Sequence, residues 1–237
     1  LESGGAGVEG GLMLRAEKDR LRTWLLFRYA RWLMRRRFFS VRLYADFADF
    51  QEAETFPLIL YGNHSYWWDG LMETLIFDRL ELDYYVMMEE KNLRKFRYFQ
   101  KTGVFGVDLD SGSGRSQALL YAARLLRTRS LRRTLLLYPH GRLVEDFSEW
   151  PPFLGGLEGL LRLVEGVKAR PLAKKIHSGR YPLPEAALKI GTPTGAADAE
   201  KALLDCQKDL LAGILTGEEC ERHWLIPPPR SWRGRTE

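Results

Sequence analysis

Cysteine is scarce in this chain. Only Cys206 and Cys220 occur among 237 residues. Two are too few for a disulfide framework, which excludes the small, stapled, secreted class and makes a reducing compartment the expectation. Long apolar runs are missing too. No stretch of about 18 residues is apolar and free of charge, so no segment reads as a transmembrane helix. There is no Gly-x-Ser-x-Gly elbow to carry an acylated serine, and no Gly-rich turn followed by the lysine of an NTP-binding loop. Histidine is limited to four residues. Cys220-x2-His223 has a metal-like spacing but lacks a second pair of ligands, so no metal site is expected. His177 and His223 have no evident partner and read as structural. That leaves His64 and His140 as candidates for chemistry.

What is present points to a globular α/β protein. Hydrophobic residues make up 45% of the chain and charged residues 28%, enough for one α/β domain with a full core or for two small ones. The formal net charge is +5, carried mostly by arginine, and a basic surplus suits phosphate-bearing partners. A nucleic acid is not expected among them, because the basic residues interleave with a buried-type apolar pattern and no nucleic-acid motif appears.

Residues 1–11 are Gly-rich and read as a disordered leader. Residues 12–40 hold an amphipathic helix. At 100° per residue, Arg20, Arg28, Arg31 and Arg35 share a stripe, with Leu21, Leu25, Tyr29, Trp32 and Leu33 to one side and Leu26, Ala30 and Met34 behind. A helix this rich in Trp, Leu and Arg suits a membrane interface. It suits packing on its own domain equally, and the apolar arc is wide enough to do both. From 41 to 215, apolar strands alternate with helices. The strands are expected at 41–45, 56–61, 82–88, 104–109, 134–138, 167–173 and 186–190, and the helices at 70–80, 89–99, 113–129, 154–164 and 198–215. That alternation predicts a mostly parallel sheet flanked by helices. Residues 216–237 read as a C-terminal tail.

The most informative stretch is Asn63-His64-Ser65-Tyr66-Trp67-Trp68-Asp69-Gly70. It sits where a buried strand hands over to a helix, a placement that fixes side chains while opening a loop to substrate. A neutral imidazole accepts a proton at physiological pH. A carboxylate on its other ring nitrogen fixes the tautomer and stabilises the imidazolium. His64 and Asp69 therefore read as a general base and its orienter, with a substrate hydroxyl or a water as the group activated. The plainer reading makes His64 a turn histidine and Asp69 a helix cap.

Asn63-His64-x4-Asp69-Gly70 resembles the first motif of the glycerolipid acyltransferases, the lysophosphatidic acid acyltransferase family. Gly103-Val104-Phe105-Gly106-Val107-Asp108-Leu109 resembles the second, with Leu109 where the family has an arginine expected to hold the acceptor phosphate. A local substitute is the small-residue turn Asp110 to Ser116, whose amides and Arg115 suit a phosphate, although Ser111 or Ser113 as an ordinary helix cap explains it as well. Leu137-Tyr138-Pro139-His140-Gly141-Arg142 resembles the third motif, with His140 in place of its glutamate and Arg142 one position early. Val167 to Ala173, with Pro171, resembles the fourth.

The resemblance spans roughly residues 41–195 and implies the family's α/β acyltransferase domain, with the N-terminal helix facing a membrane. It implies transfer of a fatty acyl group from acyl-CoA or acyl-carrier protein to the free hydroxyl of a lysophospholipid of the 1-acylglycerol-3-phosphate type. His64 and Asp69 are then the catalytic pair, and Asn63, Arg115, His140, Gly141 and Arg142 bind substrate. Lys91, Arg94, Lys95 and Arg97 offer charge to the phosphates of CoA or to an acidic carrier. No metal or redox cofactor is implied, and the expected location is peripheral, on the cytoplasmic face of a membrane. Leu109 and His140 also open two alternatives: an acceptor without phosphate (a glycolipid, an aminolipid or a glycosylated terpenoid), or a non-catalytic protein bound to the membrane surface.

Overall fold

The computed structural model describes residues 13–128, 130, 132–145, 150–179, 181–216 and 224–229. Among them are eight strands: β1 (Ser40–Tyr44), β2 (Leu58–Gly62), β3 (Asp83–Glu89), β4 (Val104–Val107), β5 (Arg133–Leu137), β6 (Lys168–His177), β7 (Glu185–Ile190) and β8 (Trp224–Ile226). The helices are α1 (Arg20–Arg37), α2 (Asp69–Arg79), α3 (Glu90–Lys95), α4 (Gly112–Arg127), α5 (Gly156–Leu163) and α6 (Ala199–Thr216). The strands form one sheet in the order β4-β3-β5-β2-β6-β7-β1-β8. Strands β4, β3, β5, β2 and β6 run parallel to one another. β7 turns back against β6, β1 runs parallel to β7, and β8 closes the edge antiparallel to β1.

The central strands β2 and β5 are buried along their whole length. Their unbroken apolar runs reflect a sheet covered on both faces. Successive side chains alternate between those faces. Leu58, Leu60 and Leu136 join a cluster with Leu26, Met34, Met72 and Leu75 of α1 and α2. Ile59, Tyr61, Leu135 and Leu137 join Ala118, Ala122, Leu157 and Leu160 of α4 and α5. The helix that follows β2 thus lies on one face and the helix that follows the neighbouring β5 on the other. Such a divergence opens a crevice at the carboxyl ends of the two strands, where α/β sheets bind ligands.

Helix α1 starts where the Asp19 side chain accepts from Arg22 N at 2.7 Å and ends on three arginines that favour the carbonyl dipole. Leu26, Ala30, Leu33 and Met34 are buried against the domain. Leu21, Trp24, Leu25, Tyr29 and Trp32 are exposed on the other side. The single arginine stripe expected from the sequence is split: Arg28 and Arg35 lie among the exposed aromatics, while Arg31 pairs with Asp78 of α2 at 2.7 Å.

Two further expectations are corrected. The helix expected at 89–99 breaks at Phe96 into α3 and a 3-10 turn, Arg97–Thr102. The carbonyls of Gln100 and Lys101 accept from Glu17 N and Asp19 N at 2.9 and 2.8 Å, tying that turn to the chain that enters α1. The C-terminal stretch read as a tail contributes β8, with Leu225 and Ile226 buried in the α1–α2 cluster. Three residues before a run of prolines are too short to announce a strand. The leader, 1–11, and the tail beyond 229 lie outside the described residues, as do Cys220 and His223. No described helix is long and apolar enough to cross a membrane.

Truncating the inner face of α1 tests its place in the core. Met34→Ala is expected to lower unfolding stability in urea by about 2–5 kcal/mol, the range for a fully buried Met. Leu21→Ala, on the outer face, is expected to change it by less than about 0.5 kcal/mol.

Candidate active site

His64 lies two residues past the end of β2, which is flanked in the sheet by β5 and β6. The residues just before it are locked. Gly62 packs so closely on β6 that a Cβ there would lie 2.6 Å from Leu172 O. Asn63 is buried, and its Oδ1 accepts from Lys174 N at 3.0 Å while its Nδ2 donates to Ser65 Oγ at 3.2 Å. Asn63 therefore ties the end of β2 to β6 and shapes the turn; its side chain is spent on the protein.

The turn then brings Asp69, the first residue of α2, back beneath His64. His64 Nδ1 donates to Asp69 Oδ2 at 2.7 Å. The same oxygen accepts from Ser65 N at 3.0 Å and Tyr66 N at 3.2 Å. The helix N-terminus adds its own positive end. Asp69 is fully buried, whereas the His64 side chain is 29% exposed. The hydrogen bond places the ring proton on Nδ1 and leaves Nε2 with a lone pair, the arrangement of a base held by an orienting carboxylate. Val144 N donates to His64 O at 2.7 Å, which pins the 141–145 loop beside the imidazole.

Behind this pair lies a buried cluster that sequence reasoning missed. Lys174 of β6 is fully buried, with Nζ 2.6 Å from Glu73 Oε1 and 3.6 Å from Asp69 Oδ2. The Tyr138 hydroxyl donates to Glu73 Oε2. The Tyr138 ring stacks on His64 with centroids 4.2 Å apart and planes 11° from parallel. Lys174 Nζ sits 4.6 Å from the centroid of that ring. One signal was available: Glu73 falls one helical turn after Asp69, on the same face; Lys174 lies just past the strand expected at 167–173 and carried none.

Burial raises the Glu73 pKa above its ordinary value; Lys174 pulls it down and Asp69 pushes it up, and burial prevails. The Tyr138 hydroxyl is pushed well up by burial and by the neighbouring carboxylates.

The other expected binding residues are dispersed. His140 is buried, donates from Nδ1 to Pro151 O at 2.7 Å, and packs edge-on against Trp150 and Phe153. Burial lowers its pKa, so it is a neutral, internally bonded turn residue. Gly141 has φ +67°, and a Cβ there would fall 2.3 Å from Leu154 Cδ1, which explains a glycine after His140. Arg142 is exposed two residues from Val144 and makes no hydrogen bond or ion pair to a described residue. Arg115 lies at the start of α4, beyond edge strand β4, with two strands between β4 and β2. Its guanidinium donates to Leu109 O at 2.7 Å, while Ser111 caps the helix by accepting from Gly114 N. Of the basic group on α3 and beyond, Lys91 pairs with Asp110 and Arg94 with Glu90.

The aromatic triplet divides. The Tyr66 hydroxyl accepts from Ile176 N at 3.2 Å, Trp68 packs edge-on against Phe38, and Trp67 stands 74% exposed beside the crevice.

This chain is similar to a solved structure. It is the crystal structure of the 1-acyl-sn-glycerophosphate (LPA) acyltransferase PlsC from Thermotoga maritima, with a TM-score of 0.48 and 16% sequence identity, over 84% of this chain and 80% of that one. At that distance the likeness assigns no chemistry. No protein-family model and no curated protein matches the chain. The functional reading rests on the crevice itself.

The raised Glu73 pKa has a signed consequence. A carboxyl whose pKa the fold raises contributes stability in full below its unfolded pKa of about 4.3 and loses it as pH rises through the folded value. Glu73→Gln has no proton to lose and keeps a donor for Tyr138 and an acceptor for Lys174. Its urea midpoint is expected to vary less with pH above about 4.3 than that of the parent; equal pH dependence would place the titration elsewhere.

Proposed function

We propose that this protein is an O-acyltransferase, moving a fatty acyl group from a thioester donor, acyl-CoA or acyl-carrier protein, to a lipid hydroxyl. The observation that carries this reading is the His64–Asp69 pair: a buried, multiply bonded carboxylate holding Nδ1, with Nε2 of a partly exposed imidazole turned free for a proton. Nε2 takes the hydroxyl proton as the acceptor oxygen attacks the thioester carbonyl. The imidazolium that forms is stabilised by Asp69, and the thiol leaves with a proton returned from His64. The acyl group passes directly between the substrates.

Such a site must restrict water, because a water activated by Nε2 would hydrolyse the thioester. Trp67, three residues from His64 and exposed, and the 141–145 loop, bonded to His64 O through Val144 N, are the elements proposed to do so. The exposed aromatic and arginine face of α1 is the surface proposed to lie on a membrane, on its cytoplasmic side, where the lipid acceptor resides.

A lysophospholipid is the first acceptor proposed, with Arg142 as the cation that meets its phosphate. A phosphate-free acceptor is favoured by a specific observation: His140 and Arg115 are both occupied by main-chain carbonyls, which leaves little charge near the crevice to offset a phosphate.

Transfer from radiolabelled acyl-CoA or acyl-carrier protein to lysophosphatidic acid, lysophosphatidylcholine and a glycolipid tests both readings. His64→Ala is expected to lower turnover by about 100-fold or more while leaving liposome binding unchanged; unchanged turnover would remove the mechanism. With lysophosphatidic acid, Arg142→Ala is expected to raise the acceptor KM and leave the donor KM alone. An equal effect on both would take Arg142 out of the acceptor site.

A further inference from the structure

We propose that Lys174 is a positioning residue for the base, a buried ammonium that shares Asp69 Oδ2 with the imidazole and sets how readily His64 takes up a proton. Three observations carry this. First, the Lys174 side chain is fully buried on β6. Burying an ammonium costs several kcal/mol that a leucine or methionine would not incur. Second, its charge falls on one oxygen in particular. Asp69 Oδ2 receives His64 Nδ1 at 2.7 Å and faces Lys174 Nζ at 3.6 Å, so the two cations, ammonium and nascent imidazolium, draw on the same carboxylate. Third, the ammonium is held by Glu73 Oε1 at 2.6 Å and lies 4.6 Å from the centroid of the Tyr138 ring, the same ring that stacks on His64.

The titratable and charged groups around the imidazole come from three elements: Asp69 and Glu73 on α2, Tyr138 after β5 and Lys174 on β6, with Tyr66 in the turn and Arg142 and Glu145 near Val144 in the sequence. Lys174 is the buried cation among them. It offsets the Asp69 charge, so that the carboxylate orients the ring without locking a proton onto it. Glu73 and Tyr138 hold Lys174 and keep the imidazole plane parallel to the phenol.

The inference uses the acyl-transfer reading only for its kinetic arm. Lys174→Met in the full chain removes the charge and keeps the length of the side chain. The NMR titration midpoint of the His64 imidazole is expected to move up by about one pH unit, the size ordinary for a charge about 4–6 Å from a titrating group. The acid limb of kcat against pH is expected to move with it. A merely structural lysine would lower kcat and stability and leave both midpoints where they were, and that result overturns the proposal. Should that variant fail to fold, Lys174→Gln removes the same charge and keeps a polar group facing Glu73; the same upward shift is expected. If the parent transfers no acyl group to any acceptor, the acyl-transfer reading fails, while the His64 titration still decides the role of Lys174.

Discussion

A carboxylate buried at the first residue of a helix needs compensation, and Asp69 draws it from several directions. Two backbone amides and the helix N-terminus face it from its own chain segment, the imidazole of His64 from above, and the ammonium of Lys174 from the neighbouring strand. Removing any one leaves a buried charge short of partners, at a cost of about 3–5 kcal/mol for the ion-pair partners. The turn between β2 and α2 supplies the amides of Ser65 and Tyr66, and the tie of Asn63 to β6 fixes where that turn begins.

The sheet supplies the frame. β2 lies between β5 and β6, so a single crevice gathers His64, Tyr138 and Lys174 from three adjacent strands. Because α2 and α5 leave toward opposite faces, the ends of β2 and β5 stay open to a ligand. Around that opening, hydrogen bonds from Val144 to His64 and from Leu154 to Pro139 hold the loop after β5 against the turn after β2. The base thus stands on rigid elements, and the exposed residues near it, Trp67 and Arg142, belong to loops.

Much of this was legible in the residues. Alternation of apolar runs and helical patterns placed β2, β5, α2 and α4 to within a residue or two, because buried parallel strands are nearly all apolar. The His64–Asp69 contact followed from a four-residue gap across a strand-to-helix turn. The long-range partners were hidden. Lys174 is 101 residues from Glu73, and no local pattern says which strand will lie beside β2. His140 was misplaced for a similar reason: the carbonyl of Pro151 that occupies it lies eleven residues away, across a loop. β8 escaped because three apolar residues carry no period.

The central claim is that Asp69 holds the ring proton of His64 on Nδ1, so that Nε2 is the base. Nitrogen-15 NMR of the intact protein, with His64 assigned through the His64→Ala spectrum, reads the tautomer directly. At neutral pH a proton on Nδ1 and an unprotonated Nε2 are expected. A proton resident on Nε2 would contradict the mechanism, since that nitrogen could then accept nothing from a substrate hydroxyl.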